Sequence, residues 1–167
     1  MKGEILSVNI SFCKGKGKHP IERGFLIEDW GLEGDIHVGK GSREVSLLAW
    51  EDIEEFNQKL RREKLKCPKV SSPGPLGPGD LAENITVRGV DFHQVKIGDL
   101  IKIEEVLLEV SQIGKNCHQH CSIYRKWGEC IMPKRGIFAR VIKGGWIYKG
   151  KSVEVIKKDE SRDYHYK

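Results

Sequence analysis

Seven short runs rich in β-branched and aliphatic residues, each bounded by turn formers, constrain the fold of this chain more than any other feature. They are Glu4–Phe12, Glu44–Leu48, Asn84–Val87, Leu100–Ile103, Val106–Val110, Phe138–Ile142 and Ser152–Ile156, and all read as strands. Several alternate, as in IKIEE and SVEVI, so that one face is buried and the other wet. A Gly turn feeds an alternating strand in both VKIGDLIKI (Val95–Ile103) and IYKGKSVEV (Ile147–Val155), a reused turn-and-strand unit. Only Trp50–Lys66 is plainly helical, because Trp50, Ile53, Phe56 and Leu60 recur at helical spacing. Its acids Glu51, Asp52, Glu54 and Glu55 lie at the start and Arg61, Arg62, Lys64 and Lys66 at the end, which complements the helix dipole. Those charges read as a solvated helix face, and Pro68 stops the helix. Many short strands with one clear helix predict a mainly β fold, a closed or nearly closed barrel with a few peripheral helices.

The chain has 167 residues, enough for one domain with its own core. Residues 1–157 are expected to form that domain and 158–167 a polar tail. VSSPGPLGPGD (Val70–Asp80) holds three Pro and three Gly and is expected to be a long loop over the barrel, not a linker between domains. No apolar run approaches the ~20 residues that span a bilayer. The start, MKGEILSVNISF, has no secretory h-region, so a cytoplasmic protein is expected, without membrane contact. The net charge of +5, from 29 Lys and Arg against 24 Asp and Glu, suits a small anionic ligand. No long basic arm, aromatic RNA-binding motif or zinc-finger spacing argues for nucleic acid. The stretch KGKGKH offers Lys14, Lys16 and Lys18 with glycine backbone to a phosphate, but lacks the GK(S/T) ending of a P-loop; an ordinary solvated loop is the alternative.

KNCHQHC (Lys115–Cys121) packs two thiols, two imidazoles and an ammonium into seven residues. A thiolate is the nucleophile and the soft metal ligand, and positive charge from Lys115 or from protonated His118 and His120 favours it. The bland alternative is a surface turn. Five cysteines, an odd number, fit ligation or reactivity in a reducing compartment better than bridges, with Cys13 and Cys67 as bystanders. Cys117, His118, His120, Cys121 and Cys130 contain enough soft ligands for zinc, although CHxHC is not a finger or ribbon spacing. A dithiol redox protein would need the CxxC spacing that Cys117 and Cys121 lack.

Four segments occur in order: GLEGDIHVG followed by REVSLL (Gly31–Leu48), GPGDLAENITVRG (Gly77–Gly89), EVSQIGKNCHQHC (Glu109–Cys121) and GIFARVIKGGWIYKG (Gly136–Gly150). Together they resemble the MOSC domain, the module named for the C-terminal part of molybdenum cofactor sulfurases. The resemblance implies a MOSC-type β-barrel and a cleft for the molybdenum cofactor (molybdopterin), an anionic pterin bearing a phosphate and a dithiolene. It also places the family's cysteine at Cys117, which would carry sulfur as a persulfide or bind the metal. Cys121 and Cys130 are extra to the pattern and open a shared metal site or a resolving thiol.

No pyridoxal phosphate site is evident in this chain, and the desulfurase domain of the full sulfurases is lacking. A separate pyridoxal phosphate-dependent cysteine desulfurase is therefore the expected sulfur donor. Molybdenum cofactor biosynthesis or acceptor proteins are the further expected partners. The resemblance is compatible with a carrier that has no turnover and with a sulfur transferase. Arg43, Lys115, Arg135 and Arg140 are candidates for the pterin phosphate, since an Arg fork grips phosphate in bidentate fashion; pairing with a core-edge carboxylate is the alternative for Arg43 and Arg140. Asp35 and His37, two apart, would point the same way on a strand and orient a ligand, or Asp35 would cap a turn. Asn84, next to Glu83, either contacts ligand or tethers backbone. Gly144, Gly145 and Gly150 read as turn makers.

Overall fold

The computed structural model describes residues 1–14, 16–66, 74–117 and 121–159, the side chain of Leu65 excepted. Its strands are β1 (Lys2–Ile10), β2 (His19–Ile21), β3 (Arg23–Ile27), β4 (Gly31–Leu32), β5 (Val45–Ala49), β6 (Ile85–Arg88), β7 (Leu100–Ile103), β8 (Val106–Ile113), β9 (Ile137–Lys143), β10 (Gly145–Tyr148) and β11 (Ser152–Ile156). The helices are α1 (Trp50–Lys66), α2 (Ser122–Trp127) and α3 (Met132–Arg135). Neighbouring strands run β11-β7-β8-β9-β5-β6-β1, and β11 pairs again with β1, which closes a seven-stranded barrel of the expected mainly β class. β2 extends the sheet beyond β1, and β10, β3 and β4 form a small second sheet. Among the described residues no helix is long and apolar enough to cross a membrane.

Burial pattern explains the layering. β11 alternates exposed or partly exposed with buried side chains, and Val153 and Val155 enter the core with Ile5, Ile85, Ile101, Leu108 and Val141. β5 is instead buried at every position, because Leu47 faces the barrel interior while Leu48 packs outward against Ile53 and Phe56 of α1. Each such aliphatic side chain taken fully from water contributes about 1.5–3 kcal/mol. β5 and β6 form the barrel's parallel pair, and parallel neighbours need a crossover, which α1 supplies. α1 also holds Leu76 of the expected loop, since Asn57 accepts from Leu76 N at 2.7 Å and donates to Leu76 O at 2.9 Å; residues 67–73, Cys67 and Pro68 among them, lie outside the described residues.

The boundaries expected for α1, β7 and β11 coincide with those observed. β8 runs three residues further, to Ile113, through a register shift between Val110 and Gln112. β3 and β10 were not expected as strands. In β10 the glycine-dense approach reads as a turn, yet a Cβ on Gly144 would sit 2.2 Å from Leu26 O, so the glycine serves close backbone approach to β3. Asp35 and His37 lie in a turn and not on a strand, so the alternation argument for them does not apply. At the C-terminal end, Asp99 accepts from Lys158 N at 3.0 Å and from Lys157 Nζ at 3.2 Å; residues 160–167 lie outside the described residues.

Candidate anion-binding cleft

A buried ion pair organises the site. Lys18 and Asp35 have side chains that are each only 2% exposed, with Lys18 Nζ 2.9 and 2.7 Å from the two carboxylate oxygens. Asp35 also accepts from Ser11 N at 3.0 Å, His37 N at 2.8 Å and Asn84 Nδ2 at 3.2 Å. The capping alternative for Asp35 is thus what the turn uses. Burial alone would raise the Asp35 pKa, but the Lys18 ammonium and the backbone donors outweigh it and hold the carboxyl below its ordinary value. Burial pulls the Lys18 ammonium down from its usual range, against the attraction of Asp35 and Glu83. His37 is lowered by burial and by the nearby Lys18 charge, so its imidazole is neutral at neutral pH.

Asn84 spends its hydrogen bonds inward. Its Oδ1 accepts from Ser46 N at 3.1 Å, and its Nδ2 donates to Asn9 O at 3.3 Å as well as to Asp35. It tethers β1, β5 and the Asp35 turn while also lining the cleft. Behind it, Glu83 is fully buried: Oε1 accepts from Gly79 N at 2.7 Å and Thr86 Oγ1 at 2.8 Å, and Oε2 has no partner among the described residues. Burial pushes the Glu83 carboxyl up from 4.5. A raised folded pKa contributes stability in full below the unfolded value and loses it as pH rises towards the folded one. Glu83→Gln is therefore expected to remove the Glu83 share of the pH dependence, so that its stability relative to wild type rises as pH increases above about 4.5, measured by urea denaturation across pH.

In front of the ion pair opens a cleft of about 190 Å³. Its charged or ionisable lining is Lys18, His37, Lys40, Arg43 and Lys115, with Ser46 and Asn84 adding polar groups and Ala82, Met132 and Phe138 an apolar wall. Among the described residues no carboxylate lines it, so the field inside favours an anion. Lys115 is brought here by a strap between β8 and α3: Gly114 N donates to Gly136 O at 2.7 Å and Lys115 N to Pro133 O at 3.1 Å.

Cys117 is exposed two residues beyond Lys115, and Cys121 is exposed at the start of α2. Cys130 is half-buried, and burial pushes its thiol up to about 11, with Cys117 and Cys121 close enough to add to the rise and Lys115 close enough to oppose it. Such a thiol is almost entirely protonated at neutral pH and is a weak nucleophile. His118 and His120 lie outside the described residues. Among the described residues no group of three or more His, Cys, Asp and Glu is arranged to hold a metal ion.

Of the four basic residues named for the pterin phosphate, Arg43 and Lys115 meet in the cleft and Arg135 and Arg140 lie elsewhere; of the KGKGKH lysines, Lys18 lines the cleft, while Lys14 and Lys16 are exposed. Arg135 contacts His93 Nδ1, whose Nε2 is 3.0 Å from Asp52 Oδ1, and it lines a different cleft between α1 and α3. Arg140 is exposed on β9, opposite Glu109 of β8. Lys40 was not anticipated. It flanks the turn that carries Asp35, and a lone lysine between glycines leaves no periodic signal.

Sequence and structure comparisons agree with this architecture. A family model described as the MOSC domain matches residues 33–154. An uncharacterised protein, YflK, of Bacillus subtilis (strain 168) is 28% identical over 93 residues, covering 52% of this chain and 41% of YflK, so the match spans less than half of that relative. The crystal structure of YuaD from Bacillus subtilis has a similar fold, with a TM-score of 0.71 at 19% identity over 93% of this chain and 96% of that one. That of YiiM from Escherichia coli gives 0.62 at 19% identity, over 94% of this chain and 70% of YiiM. With its barrel closed from β1 to β11 and most of its length matched by the family model, this chain belongs to the MOSC domain family.

Proposed function

We propose that the cleft binds the anionic end of the molybdenum cofactor and that Cys117 carries sulfur to it or ligates its metal. The observation that carries this reading is the convergence of Lys40, Arg43 and Lys115 with His37 in a cleft that no carboxylate lines among the described residues, two residues from an exposed thiol. The donor chemistry fits the cofactor: Arg43 and the lysines suit a phosphate, and a thiolate suits molybdenum. About 190 Å³ is less than the roughly 300–1,000 Å³ of sites that bury a whole drug-sized ligand. The cleft thus takes the phosphate end, and the remainder of the pterin lies outside it. When bound, the cofactor would supply a metal centre able to accept soft sulfur.

As a carrier, the Cys117 thiolate attacks the terminal sulfur of a donor persulfide R–S–SH. The donor S–S bond breaks, R–S⁻ leaves, and Cys117 keeps the sulfur as a persulfide, with no other oxidant or reductant required. A separate pyridoxal phosphate-dependent cysteine desulfurase is the donor this scheme calls for, and a cytoplasmic setting keeps the thiols reduced. In this reading the chain is a sulfur transferase or carrier, and proteins that make or accept the cofactor are its partners.

The test is an anaerobic titration of reduced, metal-free protein with molybdenum cofactor, with mass spectrometry of Cys117 after incubation with a desulfurase and cysteine. Cys117→Ser is expected to abolish persulfide loading. Arg43→Ala is expected to weaken cofactor binding by roughly 10- to 100-fold, the worth of a charge-assisted hydrogen bond. Binding and loading that survive both substitutions would remove the proposal. Stoichiometric zinc bound through Cys117 and Cys121 would replace it with a zinc module.

A further inference from the structure

Lys18 lines the cleft, yet its ammonium is already engaged. Two of its contacts go to Asp35, and the third is His37 Nδ1 at 3.3 Å. An ammonium has three protons and no lone pair, so the imidazole nitrogen facing it must accept. Asp35 Oδ1 is the other neighbour of Nδ1, at 3.4 Å, but it already accepts from Lys18 and from the His37 backbone, whereas the ammonium can only donate. In a neutral imidazole with Nδ1 as acceptor, the proton resides on Nε2. The His37 side chain is 32% exposed and lines the cleft, so that N–H is available to a ligand.

We propose that His37 is a ligand-contacting residue that presents an Nε2–H donor to an oxyanion, and that Lys18 is a positioning residue that fixes this tautomer without touching the ligand itself. The proposal rests on the reading of the cleft as an anion site. It assigns the cleft two kinds of donor: cations that attract charge from Lys40, Arg43 and Lys115, and one oriented neutral donor that fixes an oxygen. The ligand class follows as a tetrahedral oxyanion or phosphate monoester with an oxygen free to accept from a neutral N–H.

The experiment is a long-range proton–nitrogen correlation spectrum of uniformly nitrogen-15-labelled protein, with the His37 ring assigned by its loss in His37→Gln. Inorganic phosphate is then titrated into wild type and into His37→Ala. The expected spectrum shows a neutral ring protonated at Nε2 whose signals move saturably with phosphate. His37→Ala is expected to weaken phosphate about three- to tenfold, the worth of one neutral hydrogen bond. A ring protonated at Nδ1, or phosphate affinity unchanged in His37→Ala, overturns the proposal while leaving the cofactor reading standing. Wild type that binds neither phosphate nor cofactor overturns that reading, and the ligand contact with it. Because the tautomer is read in wild type, no folding defect of a Lys18 variant bears on the outcome.

Discussion

Lys18→Met is expected to lower the unfolding free energy by about 3 kcal/mol at neutral pH, the lower part of the range for breaking one side of a buried ion pair. The methionine leaves the Asp35 carboxylate without its cation at a position only 2% exposed. The lower part applies because Ser11 N, His37 N and Asn84 Nδ2 still donate to the carboxylate. The pH dependence has a definite sign. In wild type the Asp35 pKa is depressed, so the pair contributes stability above the unfolded value of about 3.8 and loses it as pH falls through the folded value. In the variant, burial acts on Asp35 without Lys18 and favours the protonated acid. The deficit of the variant should therefore shrink on the acid side. Guanidinium denaturation at neutral and acid pH measures both statements. The double variant Lys18→Met with Asp35→Asn should recover part of the loss, since neither member of the pair then leaves an uncompensated charge.

Gly114→Ala is the second large effect, and it acts on the site through the backbone. Gly114 has φ +67, and a Cβ there would lie 2.2 Å from Pro133 O. An alanine in the left-handed region costs about 1–3 kcal/mol, and the overlap with a backbone oxygen must be relieved in addition. Relief separates the strap from α3 and breaks the contacts at Gly136 O and Pro133 O that bring Lys115 to the cleft. Stability is thus expected to fall by 1–3 kcal/mol or more, and anion affinity is expected to fall with it. Gly128→Ala is the matching control. Gly128 also has positive φ, +76, but a Cβ there meets nothing within 4 Å, so strain is added without displacing Lys115. Paired denaturation and phosphate titration of the two variants separate the effects.

The fold was legible where periodicity reports burial. β7 and β11 alternate and α1 carries a helical stripe, and for these elements sequence boundaries and structure coincide. The small sheet was not legible, because β10 begins in glycines whose purpose is close approach to β3, a long-range fact that local pattern does not encode. The site divides in the same way. Arg43 and Lys115 stand inside family motifs and do reach the cleft. Lys18 read as one charge among three in a glycine-rich loop, and nothing in KGKGKH distinguishes the buried lysine from its exposed neighbours Lys14 and Lys16. Its partner is 17 residues away, and Asn84 is 49 residues from that partner, so hydrogen bonding across sequence makes the site where motif spacing does not. Arg135 and Arg140 have the same chemistry as Arg43, and only the direction of α3 and the outer face of β9 separate them from the cleft.

The pairing of β11 with β1 has a kinetic meaning. Lys2, Gly3 and Glu4 meet Glu154, Val153 and Ser152, so the ring is completed by segments about as far apart along the chain as the described residues allow. Loop closure over such separations costs entropy before any contact repays it, and topologies dominated by non-local pairing fold slowly. During synthesis β7 and the Lys2–Glu4 part of β1, which β2 does not cover, would therefore wait with unpaired edges until β11 leaves the ribosome, and exposed edges of this kind template association with other chains. A chain stopped short of Ser152 keeps most of its apolar residues but has two open edges. The last strand thus guards the others against one another, and the moment of greatest danger for this barrel is the interval before it arrives.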